Sequence, residues 1–125
     1  MARIVAVLLV ALAFVPAAGA KDGVRATLTT SIPQRASMGT RVVVSFTLAD
    51  RTGHPFNAVG VFVKVICPTK DASSIAFASA TSHADGRYRV VAIVPPGGLG
   101  NIRIGLRGSS DVYFPITNNP LAKKP

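Results

Sequence analysis

Residues 85–117 read DGRYRVVAIVPPGGLGNIRIGLRGSSDVYFPIT, and the alternation within this stretch decides the fold. Asp85-Gly86 is a turn pair, because glycine accepts a positive φ and aspartate bonds its own backbone. From 87 to 94 the side chains alternate with period two, which predicts a half-buried strand. The Pro/Gly corner at 95–98 ends that strand, since proline donates no hydrogen bond to a ladder.

The same period-two alternation continues on both sides of this stretch. Two more strands are predicted downstream at 102–107 and 112–116, and Pro115 indicates that the last one lies at a sheet edge. Upstream, alternating apolar positions predict four strands, at 24–32, 42–48, 59–66 and 75–82. Helical periodicity is missing, so seven short strands separated by turn residues predict an all-β, seven-stranded antiparallel sandwich.

The first 20 residues have the pattern of a Sec signal peptide. Arg3 supplies the charge, residues 4–15 are an unbroken apolar run, and 18–20 read Ala-Gly-Ala, a small-residue cleavage site. The alternative is an uncleaved anchor, but the run is shorter than the roughly 20 residues that a membrane span needs. We therefore expect a secreted or periplasmic domain at 21–117, no membrane span after cleavage, and a disordered tail at 118–125.

The motifs of the chain resemble filamin-type immunoglobulin-like repeats. The series DG-x-Y-x-V, Pro/Gly corner, I-x-I-x-L and F-x-I is similar to the last three strands of such a repeat. VVVSFTLADRTG at 42–53 and VFVKVICPT at 61–69 are similar to its earlier strands. Secreted bacterial modules such as YtkA-like domains share the pattern, and ATSHADGRYRV at 80–90 resembles carboxypeptidase-regulatory-like domains. The resemblance implies an immunoglobulin-like sandwich and a free edge for a partner strand, which filamin-type repeats offer along their third strand.

The chain is strongly basic, with 14 Lys and Arg against 5 acidic residues and a net charge of +9 at pH 7. Lys64, Arg103 and Arg107 share outward parity on the third and sixth strands, which are neighbours in a filamin-like sheet. They form a candidate polyanion-binding stripe for an acidic envelope polymer. The alternative is that the charge only keeps the protein soluble and protects its edges. Nucleic acid is not expected, because no aromatic platform interleaves the arginines.

The two histidines, His54 and His83, are the candidate metal ligands. In an up-and-down strand count, the loops after strands two, four and six share one end, which brings both histidines near Asp50, Asp85 and Asp111. Such a group could hold copper or zinc. The alternative is two solvated turn histidines, since no H-x-H or C-x-x-C spacing is present.

No catalytic constellation is predicted. Cys67, the single cysteine, falls at the end opposite the histidines and is either a buried hydrophobe or an exposed thiol. The chain has no G-x-S-x-G motif, and the glycine-rich segment at 95–101 precedes no helix. Tyr88 is expected to bury its ring and to fix a corner with its hydroxyl.

The sequence therefore predicts a non-catalytic module without a cofactor. Its partner would be another envelope protein or an acidic envelope polymer. The alternative is a periplasmic copper- or zinc-handling domain that uses His54 and His83, and a small hydrolase ranks last.

Overall fold

The computed structural model of the chain describes residues 23–79 and 84–122. These residues form seven strands and a short 3-10 turn at Ala84–Gly86, with no α-helix. The strands are β1 Arg25–Leu28, β2 Arg41–Ala49, β3 Val61–Ile66, β4 Ser73–Phe77, β5 Arg87–Ile93, β6 Asn101–Leu106 and β7 Val112–Phe114. The predicted signal peptide at 1–20 and the residue His83 lie outside the described residues.

The strands form two antiparallel sheets that pack against each other. The first sheet has the order β1-β2-β5, and the second has the order β4-β3-β6-β7. The prediction of an all-β, seven-stranded antiparallel sandwich is confirmed. None of the residues that the structure describes forms a helix long enough and apolar enough to span a membrane.

The core lies between the two sheets and is built from every second residue of each strand. β5 follows the predicted alternation: four of its residues are exposed and the intervening ones are buried. Its buried set continues past the end of the strand and comprises Tyr88, Val90, Ala92 and Val94. β2 contributes Val42, Val44, Phe46 and Leu48 in the same way. Period two therefore places the apolar side chains of these strands in the core.

Both open sides of the sandwich are closed by contacts between the sheets. On one side, the hydroxyl of Ser74 in β4 donates a hydrogen bond to the carbonyl of Ile93 in β5. On the other side, the chain leaves β7 at Pro115 and crosses to β1. The Ala26 amide donates to the Pro115 carbonyl at 2.9 Å, and the Thr117 amide donates to the Ala26 carbonyl at 2.9 Å. β7 is an edge strand of its sheet, but it ends at Phe114 because the chain then pairs with the other sheet.

Two strands, β3 and β4, begin two residues away from their predicted starts. β3 begins at Val61, because Gly60 has a φ of +99° and its carbonyl accepts the Arg107 amide at 3.0 Å. Val59 is left outside the strand with 75% of its surface exposed. β4 begins at Ser73 rather than at residue 75. The preceding turn is tight: Lys70 has a φ of +68°, and the Cys67 amide donates to the Ala72 carbonyl at 3.0 Å.

Residues 118–122 pack against the sandwich, so the disorder expected from Asn118 onward does not apply to them. The Asn118 side chain accepts the Leu28 amide at 2.8 Å and donates to the Leu28 carbonyl at 3.0 Å, as a neighbouring strand would. Leu121 is 6% exposed and belongs to the hydrophobic core.

Candidate functional site

The outer face of the second sheet carries the predicted basic residues. We call it the β3–β6 face, and its central row consists of Ile75, Lys64 and Arg103, which are register partners across β4, β3 and β6. Lys64 is half-buried and Arg103 is exposed. Among the described residues, neither side chain forms an ion pair with an acidic group. Two unneutralised cations therefore lie side by side on this face.

Arg107 lies at the end of the same face, but its charge is already paired. Its Nε and Nη2 atoms donate to the two carboxylate oxygens of Asp111 at 2.9 and 3.1 Å. This hydrogen-bonded carboxylate raises the pKa of Arg107 above its usual range. The structure thus brings all three predicted residues to one face, and leaves Lys64 and Arg103 as its unpaired cations.

A second row of the β3–β6 face is aromatic. Phe77, Phe62, Gly105 and Tyr113 are register partners across the four strands. The ring centroid of Phe62 lies 5.6 Å from that of Phe77 and 5.7 Å from that of Tyr113. A Cβ atom at position 105 would lie 2.7 Å from Phe62 Cζ. The absence of a side chain at Gly105 therefore leaves the space in which the rings of Phe62 and Tyr113 contact each other.

The arginines of the face stack on these rings. Arg103 Cζ lies 3.8 Å from the ring centroid of Tyr113, and Arg107 Cζ lies 5.2 Å from the centroids of Phe62 and Phe77. Such cation–π contacts hold a guanidinium in a fixed orientation. The expectation that no aromatic group interleaves the arginines is wrong. The sequence alternation that places Lys64 on the outer face also places Phe62 there. The position of Tyr113 could not be predicted in this way, because it depends on the pairing of β7 with β6.

The outer face of the first sheet is also basic and serves as an internal comparison. It carries three exposed aliphatic side chains, Val43, Val91 and Ile93. It also carries the exposed arginines Arg25, Arg41, Arg87 and Arg89. Arg87 Nη2 lies 3.6 Å from Asp85 Oδ2. This face has no aromatic side chain among its described strand residues, so its arginines lack the stacking partners of the β3–β6 face.

The loop after β2 places His54 among hydrogen-bonding groups of its own turn. His54 Nδ1 lies 2.7 Å from Thr52 Oγ1 and 3.9 Å from Asp50 Oδ1. The Thr52 hydroxyl donates to the Asp50 carboxylate at 2.8 Å, and this bond is the main reason that the pKa of Asp50 is lowered. Within 23–79 and 84–122, no group of three or more potential metal ligands occurs. Because His83 is not described, the pairing of the two histidines stays a prediction.

Cys67 is buried at the opposite end of the sandwich. It is 1% exposed, and its thiol donates to Asp71 Oδ1 at 3.1 Å. The Thr69 hydroxyl donates to the same oxygen at 2.6 Å, and these two bonds lower the pKa of Asp71, with the Thr69 bond contributing most. Of the two alternatives for Cys67, the structure therefore supports the buried side chain.

The chain was compared with known proteins at three levels. It matches no family model, no curated protein and no solved structure.

Proposed function

We propose that this protein is a secreted or periplasmic, non-catalytic immunoglobulin-like module that binds an acidic polymer of the cell envelope through the β3–β6 face. The observation that carries the proposal is the adjacency of Lys64 and Arg103, with Arg103 stacked on Tyr113 at 3.8 Å from the ring centroid. The signal-peptide pattern of residues 1–20 supports export from the cytoplasm. Acidic polymers are abundant polyanions outside the cytoplasm, so an exported basic protein would meet them.

The chemistry of the two cations fits carboxylate or phosphate groups that repeat along a chain. Arginine binds such anions through paired hydrogen bonds, and lysine adds a compact point charge. The stacked position of Arg103 reduces the side-chain freedom that is lost when an anion binds. The exposed Phe77 and the half-buried Tyr113 supply apolar area beside the cations, whereas Phe62 is buried.

The structure favours this face over a sheet edge as the binding surface. β3 has a paired neighbour on each side, so the free edge that the filamin-type resemblance implies for the third strand is absent. The Ser74 hydroxyl joins the edge strand β4 to the Ile93 carbonyl of the edge strand β5, and residues 115–117 cover part of the edge of β1. Addition of a partner strand would require these contacts to open.

The experiment is a binding titration of the purified protein with polygalacturonate at low and at physiological ionic strength. The variant K64Q/R103Q is compared with R41Q/R89Q, which removes the same charge from the opposite sheet. We expect the first variant to weaken binding about tenfold or more, and the second to change it much less. Binding should also weaken with salt, since exposed charges are screened within about 8 Å at physiological ionic strength.

Two results would contradict the proposal. One is no binding to polygalacturonate at low salt, and the other is an equal loss in both variants, which would show a response to net charge alone. A parallel titration with a single-stranded oligonucleotide tests the expectation of no nucleic-acid binding. Preferred binding of the oligonucleotide through Tyr113 would replace the polysaccharide with nucleic acid as the ligand.

The second candidate function is copper or zinc handling, which the sequence predicts from His54 and His83. Calorimetric titration with Cu(II) and Zn(II), with H54A/H83A as the comparison, tests it directly. Tight binding that the double variant loses would establish a metal site. Equal heats for both proteins would exclude these histidines as the ligands.

A further inference from the structure

A groove of about 690 Å³ lies at the end of the sandwich opposite His54. One wall is the turn after β3, another is the segment that leads into β6, and the third is the C-terminal segment. Its lining includes Cys67, Lys70, Leu99, Arg103 and Leu121. Its volume falls in the range of about 300–1,000 Å³ that is typical of small-molecule sites.

The groove combines an apolar floor with positive charge. The apolar lining consists of the exposed Pro68 and Pro120, the half-buried Ile66, and the core residues Leu99 and Leu121, which are each 6% exposed. Lys70 and Arg103 contribute two cations, and no Asp or Glu occurs among the described lining residues. Asp71 lies beside the groove, because its carboxylate accepts the thiol of the lining residue Cys67 at 3.1 Å. An anion therefore meets two cations against one neighbouring carboxylate, and an apolar body gains from contact with the exposed rings of Pro68 and Pro120.

The walls of the groove are fixed by two backbone hydrogen bonds and one bond between asparagine side chains. The Lys70 amide donates to the Cys67 carbonyl at 2.9 Å, which holds the turn that carries the lysine. The Gly100 amide donates to the Ile66 carbonyl at 2.9 Å, and Asn119 Nδ2 donates to Asn101 Oδ1 at 3.0 Å. The third bond ties the C-terminal segment to the start of β6, so the groove is formed before a ligand arrives.

We propose that this groove binds a single-chain organic anion with an apolar body, such as a fatty carboxylate or an alkyl phosphate. The head group lies between Lys70 and Arg103, and the aliphatic chain lies over Leu99 and Leu121. This groove is a second binding site, separate from the polymer-binding β3–β6 face. Arg103 borders both surfaces, whereas Lys70 belongs to the groove alone and Lys64 to the face alone.

The experiment is a titration of the purified protein, with ¹³C-labelled leucine methyl groups, observed by NMR. The probes are decanoate, decyl phosphate and, as the cationic counterpart, decyltrimethylammonium, all below their micelle-forming concentrations. We expect both anions to shift the methyl signals of Leu99 and Leu121, and to leave Leu48 in the core unchanged. The cation should give no saturable shift.

Matched lysine variants separate this groove from the polymer-binding face. K70Q should weaken decanoate binding about tenfold, and K64Q should leave it unchanged. K70Q should in turn leave polygalacturonate binding unchanged, so failure of one proposal is distinguishable from failure of the other. Three results would overturn the groove proposal: equal shifts with the cation, no shift at Leu99 and Leu121, or unchanged affinity in a folded K70Q variant.

Discussion

At the scale of single residues, Tyr88 is the side chain that joins a sheet to a loop. Its hydroxyl donates to the Phe56 carbonyl at 2.7 Å and accepts the Ala58 amide at 3.0 Å. Its ring stacks on Phe46 with centroids 5.3 Å apart. The sequence predicted both the buried ring and the corner-fixing hydroxyl. The identity of the corner could not be predicted, because it depends on how the loop after β2 folds back over the sheet.

Removal of the Tyr88 hydroxyl tests this connection. Y88F keeps the ring stacked on Phe46 and leaves two partly buried backbone groups without this partner. We expect a loss of about 1–3 kcal/mol in the free energy of unfolding. Y88A also removes the ring, and should cost about 3–5 kcal/mol. Urea unfolding measures both values, and Y113F on the outer face serves as the control. An unchanged midpoint for Y88A would contradict the buried position of the ring.

The same residue gives the protein a specific dependence on alkaline pH. Burial raises the pKa of Tyr88 above its ordinary value of 10.0 in the folded state. The unfolded chain therefore releases this proton at a lower pH than the folded protein does. The contribution of the protonated Tyr88 hydroxyl to the free energy of unfolding is fully present below about pH 10. It is lost as the pH rises from there through the raised folded-state pKa. The difference in unfolding free energy between wild type and Y88F should shrink over this window in pH-dependent urea unfolding. A difference that stays constant there would contradict the assignment.

At the scale of elements, Gly105 in β6 allows the aromatic row to form. A Cβ atom at this position would lie 2.7 Å from Phe62 Cζ and 2.8 Å from the Val112 carbonyl oxygen. The second contact is with backbone, which cannot move aside as a side chain can.

The variant G105A should therefore destabilise the protein by about 1–3 kcal/mol through overpacking. G108A is the matched control, because the nearest atom to a Cβ there is 3.6 Å away. We expect its effect to stay within about 0.5 kcal/mol. Thermal unfolding of both variants provides the comparison, and equal melting temperatures would show that the rings do not need this space.

The sequence predicted some elements better than others, and the difference has a physical reason. β2 and β5 follow period two throughout, because one face of each strand is buried along its whole length. The starts of β3 and β4 depend on the positive φ values of Gly60 and Lys70, which alternation does not reveal. The packing of Asn118 on Leu28 is a long-range contact 90 residues apart in sequence. No local pattern at the tail predicts such a contact.

At the scale of the whole molecule, the basic charge is distributed over both outer faces and one end. The alternation along β3 and β6 predicts that Lys64, Arg103 and Arg107 lie on one face, and the strand order makes Lys64 and Arg103 register partners. Parity could not distinguish a paired arginine from an unpaired one. Asp111 lies four residues after Arg107, and only the turn between β6 and β7 brings it into contact. The C-terminal wall of the groove escaped prediction because residues 118–122 were expected to be disordered.

The closure between β1 and residues 115–117 also determines how the sandwich carries mechanical load. The pairing is parallel, and its two partners lie near opposite ends of the described chain. A pull on both ends drives the partners in opposite directions along their common axis. The bonds of Ala26 to Pro115 and Thr117, and those of Asn118 to Leu28, then bear the force together in shear. These bonds cannot break one after another as they would in a hairpin that is pulled open. We therefore expect this pairing to resist a pull on the two ends more strongly than a hairpin would.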